Sequence, residues 1–231
     1  MTPEPGLLDD GQEQEAQMLA AEIRKVTDKK RKVILEDGYS FVLYTGEFRK
    51  FRICEGGEVP DLALQEIRAV LSKRAKLRCM NLLKVSDRTV QELRDRLRRD
   101  GYPEEITEEA LAYVASYHYT DDQRYAENYI RLQSGRKSRR VLILELEKRG
   151  VSHEVIQEAC AAWDRSMQAG ADSDSAHESA DLPAIRNLVR KKHYDSEQAS
   201  WEEEQKLTAY LVRKGFRVSD IREVLSENQL S

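Results

Sequence analysis

Basic side chains crowd two short stretches of this sequence, residues 94–99 and 136–140, with two more cations shortly after the second. Guanidinium and ammonium groups bind phosphate and carboxylate groups through charge-assisted hydrogen bonds. One or two cations in a last helical turn would compensate the helix dipole, but these stretches hold more than that requires. We therefore take as candidate binding residues for an anionic partner Arg94, Arg96, Arg98, Arg99, Arg136, Lys137, Arg139, Arg140, Lys148 and Arg149.

The second stretch carries a further signal, because Arg139 and Arg140 fall at a predicted helix start. The positive end of the helix dipole disfavours cations there, so an anionic partner would give their placement a purpose. Either nucleic acid or an acidic protein groove fits that requirement. A solvated charged face remains the alternative.

Motifs for catalysis are absent from the sequence. It contains no phosphate-binding loop, nucleophile elbow, zinc-ligand spacing or dinucleotide fingerprint. Four histidines are scattered, and His118 near Asp121-Asp122 is more typical of a surface or capping arrangement than of a metal site. Asp121-Asp122 is better explained as a helix start, where carboxylates accept exposed N–H groups. The sequence predicts a binding protein rather than an enzyme, with no cofactor and no metal.

A recurring helical unit positions these cations. It is centred on Gly101, Gly150 and Gly215, with leucines eight and four residues before each glycine and an apolar residue directly after it. A glycine just past a helix adopts the left-handed conformation of a Schellman motif, which brings the following residue against the residue four before the glycine. The predicted pairs are Leu97 with Tyr102, Leu146 with Val151, and Leu211 with Phe216.

Helix-start signals agree with this repeat. Thr89-x-x-Glu92 and Ser200-x-x-Glu203 have the form of capping boxes, and Ser138 and Ser152 are expected N-caps. The first two glycines are 49 residues apart and the last two are 65 apart, and the acidic stretch from Met167 to Asp181 accounts for the excess as a linker. Three units, each too thin to bury its own apolar face, are expected to stack as a curved, elongated body.

The region before residue 61 is predicted to differ. An acidic tail should lead into a short helix around Ala16 to Val26. Lys32 to Tyr44 alternates apolar residues around Asp37-Gly38, which predicts a two-stranded hairpin. Such a hairpin is marginal alone, so we expect it to pack on Phe48, Phe51, Ile53 and the following helix.

Composition favours a mainly helical, high-surface protein: 35% of residues are charged, 40% are hydrophobic and mean hydropathy is −0.70. The formal net charge of −4 is concentrated in acidic segments, so the rest of the chain is net positive. Three widely spaced cysteines, an acidic N-terminus and the lack of a long apolar run predict a cytoplasmic protein without membrane insertion.

Many short motifs resemble those of the RecX family, over about residues 62 to 228. They are Asp87-Arg88-Thr89, Glu92-Leu93, Leu97, Gly101-Tyr102, Tyr119-Thr120-Asp121-Asp122, Tyr125-Ala126, Leu144-Glu145-Leu146, Arg149-Gly150-Val151 and Leu211-Val212-Arg213-Lys214-Gly215-Phe216. The resemblance implies three tandem three-helix repeats and a protein that binds the RecA recombinase filament on single-stranded DNA. It further implies restraint of the recombinase, ATPase and coprotease functions of RecA.

The predicted organisation is an acidic, partly disordered tail (1–28), a β-hairpin region (29–60), repeat 1 (61–118), repeat 2 (119–164), an acidic linker (165–182) and repeat 3 (183–231). The expected partner is the RecA filament, with weak contact to single- or double-stranded DNA, and the expected state is a monomer. Two other functions stay open. One is a nucleic-acid-binding repeat protein that contacts phosphates, and the other is a scaffold for a different acidic protein.

Overall fold

The structure is a computed structural model that describes residues 18–168, 179–195 and 198–227. Residues 18–81 with 94–113 form one compact unit, and the described residues of 82–93 and 114–227 form the other. The predicted fold class is confirmed: the chain is mainly α, with three three-helix repeats after a small antiparallel sheet. Most of the acidic tail and of the acidic linker lies outside the described residues.

The N-terminal sheet has four strands in the order β3-β2-β1-β4. The strands are β1 (Met18–Thr27), β2 (Lys30–Leu35), β3 (Ser40–Tyr44) and β4 (Glu58–Val59), with the short helix α1 (Thr45–Lys50) after β3. The predicted β2–β3 hairpin is confirmed, with Gly38 at φ +86° in its turn. The helix predicted around Ala16 to Val26 is wrong, because its described part is strand β1, which pairs antiparallel with β2 and β4.

Helices α2 (Asp61–Leu83), α3 (Val90–Asp100) and α4 (Glu104–Ser116) make up repeat 1. Helices α5 (Asp122–Gln133), α6 (Arg139–Lys148) and α7 (His153–Gln168) make up repeat 2. Repeat 3 contains α8 (Leu182–Lys191), α9 (Trp201–Arg213) and α10 (Val218–Glu227). Helix α7 therefore continues into the stretch where the sequence predicts a linker.

The second helix of each repeat ends in the predicted Schellman motif. Gly101, Gly150 and Gly215 have φ values of +88°, +78° and +90°. The residue after each glycine donates its N–H to the carbonyl of the predicted leucine, over 3.2, 3.1 and 3.3 Å in chain order. Leu146 and Val151 share the core of repeat 2, and Leu211 and Phe216 share that of repeat 3. The repeating glycines are thus explained by helix termination.

Helix starts also follow the prediction. The side chains of Thr89, Ser138 and Ser152 each accept the N–H three residues on, and Ser200 with Glu203 forms a reciprocal capping box. Asp121 caps α5 by accepting the N–H of Arg124 at 2.9 Å. The Glu92 carboxylate instead accepts from Arg149, 57 residues away, so Thr89 caps α3 while Glu92 serves a tertiary contact.

Consecutive repeats meet where second helices end and begin. The Thr89 hydroxyl at the start of α3 donates to the Arg149 carbonyl at the end of α6, at 2.6 Å. The Ser138 N–H at the start of α6 donates to the Lys214 carbonyl at the end of α9, at 3.1 Å. Each contact brings a negative helix end to a positive helix start, which is favourable for both dipoles.

The first helix of the following repeat completes each of these junctions. The Asp122 carboxylate of α5 accepts the first N–H of α3 from Val90 at 3.0 Å. The Asp181 carboxylate before α8 accepts the first N–H of α6 from Arg139 at 2.8 Å. Because helix-start N–H groups have no partner within their own helix, these aspartates satisfy donors that would otherwise be left over.

Candidate anion-binding surface

Most of the first basic stretch is paired within the protein. Arg94 forms a bidentate pair with Glu108 at 2.7 and 3.0 Å, and Arg98 forms one with Glu104 at 2.9 and 2.6 Å. Arg96 lies 3.4 Å from Asp100. Hydrogen bonds from the arginines hold the pKa of Glu104 and of Glu108 below the usual range. Arg94 and Arg98 therefore link α3 to α4, and Arg96 forms its ion pair within α3.

The last cation of that stretch differs. Arg99 is exposed, and its guanidinium donates to the carbonyl of Asp95 one turn earlier at 3.1 Å. That bond uses the Nε–H, and the terminal amino groups have no carboxylate partner among the described residues. Arg99 remains a candidate.

The second stretch divides in the same way. Lys137 contacts both Glu145 oxygens at 2.6 and 2.7 Å, and Arg139 forms a bidentate pair with Asp164. The helix-start cation Arg139 thus finds its anion inside repeat 2, and its backbone N–H finds a second anion in Asp181. Its placement needs no external partner to explain it.

Arg149 is likewise a structural residue. Its guanidinium donates to Glu92 at 2.8 Å and to the Tyr125 hydroxyl at 2.9 Å, and it lies 5.3 Å from the ring centroid of Tyr129. Cation–π contact and a tertiary ion pair together fix this side chain between repeats 1 and 2 within the second compact unit.

Three candidates keep unpaired charge at the surface of repeat 2. Arg136, Arg140 and Lys148 are exposed, and no side-chain ion pair or hydrogen bond is recorded for them in the described part of the chain. Arg140 and Lys148 are two turns apart on α6, with the exposed Leu144 between them at helical spacing. We call Arg136, Arg140 and Lys148 the α6 surface.

A groove of about 780 Å³ adjoins this surface. Arg140 and Leu144 of α6 form one wall, and Arg217 and Val218 at the start of α10 form another. Leu144 is 45% exposed and Val218 is 42% exposed, so cationic and apolar groups are offered side by side. Such a groove fits an acidic segment that also carries apolar side chains.

Sequence reasoning missed Arg217, which is exposed and forms no side-chain hydrogen bond or ion pair in the described residues, although its charge acts to lower the pKa of Asp181. It stands alone after the third repeat glycine, without the density that marked the other clusters. The one signal in the sequence is that it directly precedes α10, and in the structure it lines the same groove as Arg140. Only the packing of repeat 3 on repeat 2 brings the two together.

Asp181 lines this groove, and Asp220 lies behind it, hydrogen-bonded to the lining residue Ser179. Burial raises the pKa of Asp181, and the backbone N–H of Arg139 only partly opposes that shift. Asp220 is buried and accepts hydroxyl hydrogens from Ser179 at 2.9 Å and Ser219 at 2.8 Å. In the described residues no cluster of three His, Cys, Asp or Glu side chains could hold a metal ion, and no helix is long and apolar enough to cross a membrane.

These features define a class: a protein built from tandem three-helix repeats, with exposed cations beside a groove in its second and third repeats. Family models for the first, second and third three-helix domains of RecX match residues 75–113, 121–159 and 180–225. The chain belongs to the RecX family.

Curated relatives agree over most of their length. The regulatory protein RecX of Caldanaerobacter subterraneus subsp. tengcongensis is 30% identical over 207 residues, covering 88% of this chain and 96% of the relative. The regulatory protein RecX of Mycolicibacterium smegmatis is 30% identical over 176 residues, covering 74% and 88%.

Two crystal structures share the fold. A regulatory protein RecX aligns with a TM-score of 0.53 at 21% identity, covering 90% of this chain and 98% of that chain. RecX from Lactobacillus salivarius aligns with a TM-score of 0.55 at 22% identity, covering 71% and 99%.

Proposed function

We propose that this protein is a negative modulator of the RecA recombinase in the cytoplasm. It binds the RecA filament on single-stranded DNA and restrains ATP turnover, strand exchange and coprotease activity. Membership of the RecX family supports the regulatory role, since the sequence motifs that mark the family carry this expectation.

The unpaired cations of the α6 surface are the observation that supports a binding site in repeat 2. Of the ten candidate cations, six form ion pairs with carboxylates of the chain itself. The other four are Arg99 in repeat 1 and Arg136, Arg140 and Lys148 in repeat 2. Arg140 lines the groove beside Leu144 together with Arg217, and Arg136 and Lys148 lie outside the groove on the same repeat as Arg140. An acidic protein surface placed in the groove would meet Arg140, Arg217 and the apolar side chains of Leu144 and Val218.

Charge reversal tests this assignment. The variant Arg136→Glu with Arg140→Glu and Lys148→Glu should inhibit the ATPase of RecA filaments less than wild type does, because it places carboxylates where acidic groups dock. The difference should shrink as salt rises, since screening weakens exposed charge pairs. Inhibition is measured over a salt series, and circular dichroism checks that helical content is kept.

A matched control uses the exposed Arg190, Lys191 and Lys206 of repeat 3, each changed to Glu, which alters net charge equally. We omit Lys137 and Arg139 from the test variant because their ion pairs support the fold. Equal inhibition by wild type and the α6 variant at low salt would remove this surface from the RecA-binding site and leave Arg99 as the next candidate.

A phosphate-binding role is the competing function for the same cations, because guanidinium groups bind nucleic-acid phosphates as readily as carboxylates. Binding of the wild-type protein to RecA, to naked single-stranded DNA and to their complex separates the two. Affinity for the RecA–DNA complex well above that for naked DNA supports the modulator, and equal affinities support the nucleic-acid-binding protein.

A further inference from the structure

The outer half of the β1–β2 hairpin carries an unusual density of charge. Six of the nine residues 24–32 are Lys or Arg and one, Asp28, is acidic. These residues, which we call the basic hairpin, lie at the turn end of the two strands, beyond the buried Val33 and Leu35. None of them belongs to the candidate cations of the helical repeats.

The strand register places like charges opposite each other. Arg24 pairs with Lys32 and Lys25 pairs with Arg31 across the two strands. Successive strand residues point to opposite faces, so each face of the hairpin carries one such pair. Like charges directly opposite each other destabilise a sheet, so folding alone disfavours this pattern.

Edge protection accounts for only part of the pattern. Lysines on an edge strand prevent another strand from pairing with it, and the outer side of β1 beyond Ala20 has no strand partner in the described residues. Strand β2, however, lies between β1 and β3. Edge protection therefore does not explain the three consecutive cations of β2, Lys30, Arg31 and Lys32, because β2 is not an edge strand.

Local partners neutralise little of this charge. Arg24 pairs with Glu22 and Lys25 with Asp28, and all four side chains are largely exposed, where such pairs contribute little. Arg31 donates to backbone carbonyls, and Lys30 lies 5.3 Å from the centroid of the Tyr44 ring. In the described residues Lys29 has no carboxylate partner, and Lys32 forms no ion pair or side-chain hydrogen bond, although its charge helps to lower the pKa of Glu22.

We propose that the basic hairpin binds the phosphate backbone of nucleic acid. A row of cations spaced along two strands suits a regular polyanion, and phosphate contacts need no shaped pocket. Protein interfaces are depleted of Lys and centre on buried apolar anchors, whereas four of these six cations are Lys and Val26 is the one exposed aliphatic side chain among residues 24–32. The site is separate from the α6 surface and does not depend on RecA binding.

Neutralisation tests the site with the full-length protein. In the variant Lys25→Gln, Lys29→Gln and Lys32→Gln, affinity for a labelled mixed-sequence single-stranded oligonucleotide should fall roughly tenfold or more at low salt. The slope of log affinity against log salt should become shallower by about two, because each lost phosphate contact in a single strand removes about 0.7. Fluorescence anisotropy over a salt series measures both quantities.

The matched control neutralises Arg190, Lys191 and Lys206 in repeat 3 and should keep the wild-type affinity and slope. Thermal melting adds a second readout: the hairpin variant should melt at or above the wild-type temperature, because it removes one member of each repelling pair. An unchanged salt slope, or an equal loss in the control, overturns the proposal. So does lost binding of labelled poly-glutamate with DNA binding retained, which would indicate an acidic protein partner.

Discussion

His118 occupies a position that glycine fills elsewhere in the chain. It has φ +55° just past the end of α4, and the N–H of Tyr119 donates to the Val114 carbonyl in a Schellman motif. The sequence reading of His118 as a capping residue rather than a metal ligand gains a specific geometry here. A side chain in this left-handed region is strained, because its Cβ crowds the backbone.

We therefore expect His118→Gly to raise the free energy of unfolding by about 0.5–1 kcal/mol, after the greater unfolded-state entropy of glycine is deducted. Urea denaturation measures the change. His153→Gly is the control, because His153 starts α7 in an ordinary helical conformation and should give no gain. A loss of stability in His118→Gly would contradict the strain argument.

Carboxylates paired with cations make the free energy of unfolding depend on pH. Lys76 and Ser72 donate to Glu109 at 2.6 and 2.8 Å, and these hydrogen bonds hold its pKa below the ordinary value of 4.5. An acid whose pKa is lowered by folding contributes stability above its unfolded-state pKa and loses it as pH falls through the folded value.

The free energy of unfolding should therefore decline as pH drops below about 4.5, and Glu109→Gln should make that decline shallower. Because the Glu109 side chain is half exposed, the difference should stay below about 1 kcal/mol. Urea unfolding at a series of acidic pH values measures it. Superimposable pH profiles for wild type and variant would show that this pair contributes nothing.

At the scale of residues, the ion-pair partners of the basic side chains could not be predicted from the sequence. The cation clusters are visible in the chain, but Arg139 meets Asp164 25 residues later and Arg149 meets Glu92 57 residues earlier. These distances depend on how helices pack, which no local pattern encodes. The sequence therefore identified the basic stretches without separating paired cations from free ones.

At the scale of elements, substituting Gly150 would test two contributions to stability together, backbone strain and packing against α3. Its φ is +78°, and a Cβ added there would overlap the Gln91 side chain at the start of α3. Gly38 in the β2–β3 turn has a similar φ of +86° with open space around it. The two glycines share backbone strain but differ in packing.

We expect Gly150→Val to lower the free energy of unfolding by at least about 1 kcal/mol from backbone strain alone, with the Gln91 overlap adding to it. Gly38→Val should show only the strain. Thermal and urea unfolding of both variants gives the difference. Equal losses of unfolding free energy in the two variants would mean that the Gln91 side chain moves aside and the overlap does not destabilise the junction between repeats 1 and 2.

Thr89 joins a helix start to a helix end. Its buried hydroxyl accepts the Glu92 N–H and donates to the Arg149 carbonyl. Thr89→Val keeps the shape but leaves both backbone groups without this partner, so we expect a loss of about 2 kcal/mol. Ser200→Ala removes a cap without a junction and should cost about 1 kcal/mol. A smaller loss for Thr89→Val than for Ser200→Ala in urea unfolding would contradict the double role.

The repeat elements were predictable and β1 was not, for a physical reason. Glycine conformation and leucine spacing are local signals, and they located all three second helices. In the stretch from Met18 to Val26, every residue except Ile23 and Val26 is of a type that favours helices. It forms a strand because Ala20 pairs with Leu35 and Met18 with Val59, and such tertiary pairing overrides propensity.

At the scale of the whole molecule, stability should depend on contacts between repeats as much as within them. Asp181 is the most direct test, since it stands in repeat 3 and accepts the Arg139 N–H of repeat 2. Asp181→Ala should raise amide exchange in α8–α10 and at the start of α6 while α5 stays protected. Hydrogen exchange measures this by segment.

Asp121→Ala provides the contrast, because Asp121 caps α5 within its own repeat. It should raise exchange at the start of α5 and leave repeat 3 as in wild type. If Asp181→Ala instead altered exchange only at Arg139, the two repeats would be coupled mainly by the hydrogen bond from the Ser138 N–H to the Lys214 carbonyl.

The aspartates that satisfy the starts of α3 and α6 come later in the chain than the helices they serve, by 32 and 42 residues. A ribosome delivers a chain from its N-terminus, so each of these helices leaves the ribosome with its first N–H still lacking this partner. Helix α9 differs in having a reciprocal capping box, because Ser200 and Glu203 each accept a backbone N–H of the other. During synthesis, α3 and α6 therefore lack this hydrogen bond until the next repeat has been translated. A translational pause before Asp122 or Asp181 would prolong the interval in which the helix start is unsatisfied.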